Sequence, residues 1–219
     1  MARYAILGGT GSQGLGLALR LAASGASIAI GSRVAERARN AADKLRQRVP
    51  VADATGLENA AAARAAECVI LAFPAEGLAA SLGALAPELA GKLVVDVMVP
   101  LAFRHGRADL APVDGAPSVA QLVQRALPAS RVVSAFKNVP AELLHDLDQP
   151  LAGDVLVCGD DADARADVSR LVARLPDLRA VDAGALANAR YVEGITALLV
   201  NLNRQHRART SIAIVGLPR

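Results

Sequence analysis

The sequence predicts an α/β fold: a doubly wound, mostly parallel sheet with a small C-terminal α/β lobe. Three observations predict it. Short apolar runs alternate with Ala/Leu/Arg-rich stretches of helical period along the whole chain. A glycine-rich turn, "GGTGSQG", directly follows the first apolar run and opens the first helical stretch. The chain has 219 residues, 53% hydrophobic and 21% charged, which is ample for one buried core.

Strands are expected over 4–7, 27–30, 69–73, 93–97 and 131–136, where aliphatic residues run together between polar or glycine-containing turns, and a weak one near Val51. Helices over 14–24, 34–47, 57–66, 76–88 and 118–127 fill the gaps. Residues 98–117 contain Pro100, Pro112 and Pro117 with little periodicity, so a long loop is expected there. After residue 150 the rhythm continues with a strand in "DVLVCGD", a helix over 162–175, the strand-like "LRAVDAG", a long helix over 185–207 and a closing strand in "SIAIVGL". No linker or repeat interrupts it. Residues 1–150 are therefore expected to form a nucleotide-binding domain, and 151–219 a small lobe packed on it.

Composition excludes several classes. The formal net charge is +3, and 21 of the 24 basic residues are arginines scattered along the chain. Nucleic-acid binding would call for clustering and stacking aromatics, and the aromatics here are only Phe73, Phe103, Phe136, Tyr4 and Tyr191. No apolar run reaches the length needed to span a bilayer. The opening "MARYAILGG" enters a strand at once, without the features of a signal peptide, so a cytoplasmic protein is expected. Cys68 and Cys158 each sit in an apolar run and read as buried, inert thiols rather than a disulfide or metal site.

The turn after the first strand reads Gly9-x-Gly11-x-x-Gly14, with Thr10, Ser12 and Gln13 between. The first glycine suits a tight turn, the second close approach of a pyrophosphate, and the third helix–strand packing. The helix N-terminus then offers free N–H groups to the phosphates. Its position between a strand and a helix, with a second strand at the right distance, makes this a Rossmann-type dinucleotide site. In an NAD site the second strand ends in an acid that holds the ribose 2′-hydroxyl. Here that strand ends Gly31, Ser32, Arg33, with Arg37 one helical turn on. A guanidinium binds a 2′-phosphate where a carboxylate would repel it, so NADP(H) is the expected cofactor.

Beyond the glycine loop the sequence closely resembles the NADPH-dependent reductases of the deazaflavin coenzyme F420. The resemblance runs nearly end to end, through "GGTGSQGLGLALRLA", "IGSR", "VVDVMVPLAF", "SAFKNVPAELL", "VCGDD", "LRAVDAGALANARYVEGITALLVNLNR" and "IAIVGL". It implies hydride transfer between NADP(H) and C5 of F420 as second substrate, with Thr10, Ser32, Arg33 and Arg37 holding the 2′-phosphate. It also implies a cleft between the nucleotide domain and the C-terminal lobe, lined by Phe73, Pro74, Met98, Val99, Pro100, Lys137, Asn138 and Val139. These positions independently follow expected strands, at the carboxyl edge where open α/β sheets bind ligands.

Such a reaction needs little acid–base machinery, because the two carriers hold the reactive chemistry and the protein sets distance and facing. Lys137 is the candidate catalytic residue, either stabilising negative charge on the reduced deazaflavin or acting as general acid. The alternative for Lys137 is a lysine reaching solvent. His105, His145 and His206 are expected at the surface. A basic rim for the anionic F420 tail is expected from Arg104, His105 and Arg107, or from Arg204, Arg207 and Arg209. Two other functions fit the scaffold: an NADP-dependent reductase of an imine or carbonyl, and a non-catalytic NADP(H)-sensing module. The long C-terminal helix, with Leu186, Val192, Ile195, Leu198 and Leu199, presents apolar surface that suits either a homodimer or packing on the first domain.

Overall fold

The computed structural model describes residues 3–74 and 77–217. In chain order the elements are β1 (Arg3–Leu7), α1 (Ser12–Ala23), β2 (Ser27–Ser32), α2 (Ala35–Arg48), β3 (Ala54–Glu58) and α3 (Asn59–Arg64). There follow β4 (Cys68–Leu71), α4 (Leu78–Leu89), β5 (Leu93–Asp96), β6 (Leu101–Arg104), β7 (Arg107–Leu110) and α5 (Val119–Ala126). The last third holds β8 (Arg131–Ser134), α6 (Ala141–His145), β9 (Gly153–Gly159), α7 (Ala162–Val172), β10 (Leu178–Asp182), a 3₁₀ turn (Leu186–Asn188) and α8 (Ala189–His206).

Eight strands make one sheet in the order β10-β9-β8-β5-β4-β1-β2-β3. Every pairing is parallel except β8 with β9, which is antiparallel. Both faces are covered by helices, which is why β2 and β5 are buried at every residue instead of alternating. One core lies under α1, α2, α6 and α7, the other under α3, α4, α5 and the start of α8. The chain order reverses between β1 and β4, so the sheet opens a crevice at their carboxyl ends.

Three expectations fail on local chemistry. Val51 is exposed and the third strand starts at Ala54, taking the first residues of the expected helix 57–66. The expected loop 98–117 contains a hairpin, β6–β7, whose two-residue turn puts His105 and Gly106 both at positive φ. The Asn201 amide on α8 bonds both the N–H and the C=O of Ala108, which docks the hairpin on that helix. The closing "SIAIVGL" is not a strand. It bonds β9 through Asp154, whose N–H donates to the Ile212 carbonyl (2.8 Å) and whose carboxylate accepts from the Ile214 N–H (2.5 Å). The start of the expected helix 76–88 lies outside the described residues, and α4 itself begins at Leu78.

The C-terminal segment does not stand apart from the first 150 residues, since β9 and β10 extend the same sheet. The apolar side of the last helix also faces inward: Val192 and Leu199 are buried, as is Leu186 in the 3₁₀ turn before it, while Ile195 is half-buried and Leu198 exposed. Arg20 joins two elements by donating to the carbonyls of Leu143 (2.7 Å), Leu144 (3.3 Å), Gln149 (2.8 Å) and Asp146, tying α1 to the segment around α6.

Candidate active site

The glycine loop runs from the end of β1 into α1 at the crevice. Gly8 has φ +74°, and a Cβ there would lie 2.6 Å from the Ala72 carbonyl oxygen. Gly9 donates its N–H to the Gly31 carbonyl (3.1 Å) and leaves a Cβ no room, at 2.7 Å from the Ile6 carbonyl oxygen. Gly14 is equally constrained, its Cβ position 2.9 Å from the Gly9 Cα. Gly11 differs. Its φ is an ordinary −79° and the nearest atom to a Cβ would be 3.5 Å away, so the fold does not demand glycine there. That Cβ would instead stand at the mouth of α1, whose N-terminus has no side-chain cap. A bare helix N-terminus with an open cradle above it suits a pyrophosphate.

A cavity of about 420 Å³ extends from this loop and is lined by Thr10, Gly11, Ser12, Gln13, Gly14, Ser32, Arg33, Arg37, Phe73 and Pro74. Arg33 and Arg37 are exposed, and neither makes an ion pair among the described residues. The Ser32 hydroxyl accepts from the Val34 N–H (3.3 Å), keeping its own proton for a ligand. Two unpaired guanidiniums and a hydroxyl at the end of β2, without an acid, fit the 2′-phosphate of NADP(H). Asn59, the first residue of α3, also lines this cavity, and its Oδ1 is buried without a partner. Sequence reasoning missed it. Its place at the carboxyl edge of β3 was the available signal.

A second cavity, of about 330 Å³, shares Gln13, Ala72 and Phe73 with the first. Its walls are Val97, Met98 and Val99 after β5, Lys137, Asn138 and Val139 after β8, and Thr196, Leu199, Val200 and Asn203 on α8. The two cavities make one channel at the carboxyl edge, with Gln13 at the junction donating to the Phe136 carbonyl (3.2 Å). The α8 side chains were not singled out by sequence, because each reads as an ordinary residue of an amphipathic helix. Pro100 is buried and outside the lining; its carbonyl accepts from the Ala111 N–H at the base of the hairpin. Asn138 is buried and its amide donates to the Asp154 carbonyl (2.6 Å).

Lys137 departs most from a lysine reaching solvent. Its side chain is 0% exposed, and the residue lines the second cavity. Its ammonium donates to Asp96 Oδ2 (2.7 Å), to Glu193 Oε1 (3.1 Å) and to the Met98 carbonyl, which uses all three of its protons. It is a buried pin within the cavity wall, its ammonium held by three acceptors of the protein itself. The turn that sends it inward is strained: Phe136, fully buried, has φ +56°. Burial raises the Glu193 carboxyl above the ordinary glutamate range, against the opposing pull of Lys137.

Arg204, Arg207 and Arg209 border a third cavity, which shares Pro140, Ala141, Val200 and Asn203 with the second. Arg209 pairs with Glu142 (2.8 Å). Arg104, His105 and Arg107 ride on the exposed hairpin. His145 bonds the Ser12 carbonyl through Nε2 (2.8 Å), tying α6 to the start of α1. Both cysteines are free thiols, and burial pushes Cys68 up to about 12 and Cys158 to about 11. Among the described residues no cluster of His, Cys, Asp and Glu suits a metal ion, and no helix is long and apolar enough to cross a membrane.

The family described as "NADP oxidoreductase coenzyme F420-dependent" matches residues 3–100. The F420-dependent NADP reductase of Methanocaldococcus jannaschii is 46% identical, over 98% of this chain and 99% of its own length. That of Methanothermobacter marburgensis is 40% identical over 99% of both. A crystal structure of a putative F420-dependent NADP reductase from an Arthrobacter species superposes with a TM-score of 0.80 at 30% identity, covering 99% of both chains. A reductive aminase from Aspergillus terreus shares the fold alone, at TM-score 0.66 and 19% identity over 94% of this chain and 63% of its own. By identity across its whole length, the chain belongs to the F420-dependent NADP reductases.

Proposed function

We propose that this protein transfers a hydride between NADP(H) and F420 in the channel at the carboxyl edge of the sheet. The observation that carries the reading is the joining of an acid-free, arginine-bearing nucleotide cavity to a largely apolar second cavity at Gln13 and Phe73. Gly11, Ser12 and Gln13 would receive the pyrophosphate, and Thr10, Ser32, Arg33 and Arg37 the 2′-phosphate. When bound, the cofactor supplies the hydride and takes a positive charge on its nicotinamide ring. The chain's own part is to align and to dry: Phe73, Met98, Val99 and Val139 offer flat apolar contact to stacked rings, and the α8 side chains Leu199 and Val200 close the cavity against water. Direct transfer between two carriers calls for no general acid in the second cavity.

Residues 1–150 act in this reading as the NADP-binding domain, and 151–219 complete the second-substrate side through α8. The arginines at the end of α8 meet the anionic tail of F420 as it leaves the ring cavity. The protein is a cytoplasmic homodimer in this reading, which light scattering tests. The two other readings lose ground on observation: an imine or carbonyl reductase needs a proton donor that Lys137 does not supply, and a sensor leaves the second cavity without a use.

The test is to mix purified protein with NADPH and oxidised F420 and follow loss of deazaflavin absorbance, with NADH in parallel. Bleaching by NADPH and little by NADH is the expected result. NADPH binding without bleaching would overturn the assignment of F420 as acceptor.

A further inference from the structure

Lys137 and Asp96 form a neutral, fully buried pair, which needs no third charge. Glu193 nevertheless sits against them, 1% exposed at its side chain and held by the Lys137 ammonium and by the Val119 N–H, which reaches both carboxylate oxygens (3.0 and 3.3 Å). The N-terminus of α5 and one ammonium thus serve two carboxylates. With both carboxylates ionised, the cluster carries one uncompensated negative charge behind the wall formed by Met98 and Lys137.

We propose that Glu193 sets the charge behind the hydride-transfer cavity: ionised, it favours the cationic, oxidised nicotinamide over the neutral, reduced one, and so favours hydride release from NADPH. Protonated, it leaves the cluster neutral and the preference fades. Glu193 touches no ligand. It acts through the buried cluster, as a positioning residue for charge. The inference rests on the reading that the nicotinamide occupies the second cavity.

Lys137 and Asp96 already neutralise each other, so pairing the ammonium does not by itself call for Glu193, whose excess buried charge costs stability. The raised position of its carboxyl says the same. By linkage, a carboxyl whose folded pKa lies above its unfolded one makes the protein lose stability as pH climbs from the ordinary glutamate value through the raised one. The charged groups against it are Lys137 and Asp96, and burial holds the nearby Cys158 thiol up to about 11. Glu193→Gln suits the test, because Oε1 alone already accepts from both Lys137 and Val119. The substitution therefore removes the charge and keeps the main contacts.

The experiment measures dissociation constants for NADP⁺ and NADPH from pH 5 to 9, in the wild type and Glu193→Gln, together with melting temperature. In the wild type the affinity ratio should move toward NADP⁺ by about fivefold as pH rises through the Glu193 titration. In Glu193→Gln the ratio should stay flat at its low-pH value, and the melting temperature above pH 7 should equal or exceed that of the wild type. A pH-dependent ratio that persists in Glu193→Gln overturns the proposal, as does a variant that melts lower at every pH, which marks a merely structural residue. Glu193→Leu, should it fold, must show the same flat ratio. If the wild type binds NADPH but does not bleach F420, the acceptor reading fails, while the binding ratio still decides the role of Glu193.

Discussion

Gly11→Ala distinguishes a glycine that the fold requires from one that a ligand requires. The backbone at Gly11 has φ −79° and ψ 166°, open to any residue, and the new methyl would meet nothing closer than 3.5 Å. Losing glycine at a helix N-cap costs about 0.5 kcal/mol, and the stiffer unfolded chain returns about the same, so stability should change by less than about 0.5 kcal/mol. In a chain of this length that is a melting shift of about 2 °C or less. NADPH affinity should nevertheless fall at least about tenfold, a loss of about 1.4 kcal/mol, because the methyl stands where the pyrophosphate must approach the backbone. Gly14→Ala is the control: its methyl would lie 2.9 Å from the Gly9 Cα and 3.1 Å from the Ala72 Cβ, costing about 1–3 kcal/mol of stability with or without cofactor. The chain has no tryptophan, so the change in NADPH emission on binding is read without energy transfer from indole. Unchanged NADPH affinity in a folded Gly11→Ala protein would refute the placement of the pyrophosphate.

Other substitutions follow from the same geometry. Arg33→Ala should weaken NADPH binding by about tenfold and leave NADH alone, and adding Arg37→Ala should weaken it further, with the difference shrinking at high salt. Equal losses for both nucleotides, by the same fluorescence titration, would remove these residues from the 2′-phosphate. Arg20→Ala should destabilise the protein by about 2–4 kcal/mol in urea titration, since it strands carbonyls around α6 that a single guanidinium now satisfies. Maleimide should label Cys158 slowly in the native protein near pH 8 and rapidly after denaturation, because burial holds its thiol at about 11. Fast native labelling would contradict that burial.

The parts of the site that local sequence encodes were legible. The glycine spacing, the missing acid after β2 and the strand-end positions of Phe73 and Met98 follow from short windows, and the structure gathers them along one channel. The hairpin was not legible, because His105 followed by Gly106 is a weak turn signal and its support comes from Asn201, 93 residues away. The final "SIAIVGL" misled for a complementary reason. Its composition is that of a strand, but Ser211 packs at the place a side chain on Gly153 would occupy, and the segment crosses the start of β9 without joining its ladder.

Lys137 shows where reading one residue at a time must fail. A lysine just past a strand at the carboxyl edge reads as a solvent-facing side chain or a catalytic acid, because nothing nearby in sequence neutralises it. Its partners lie 41 and 56 residues away, on β5 and α8, and only the tertiary fold brings two carboxylates to one ammonium. The strained turn at Phe136 follows from the same arrangement: the backbone takes a left-handed conformation so that Lys137 points inward, and the ion cluster offsets the strain. Four segments are thereby fixed to one another: the end of β5 with Asp96 and Met98, the backbone around Lys137, α8 through Glu193, and the start of α5 through the Val119 N–H. The Thr196 hydroxyl adds a bond from α8 to the Lys137 carbonyl (3.1 Å). Because the walls of the second cavity are built on those segments, Lys137→Met should loosen them together, speeding amide exchange at Met98, Val119 and Val139 while leaving β1 and β2 protected. Uniform exchange across the sheet would mean that the cluster supports the fold in general and not the cavity wall in particular.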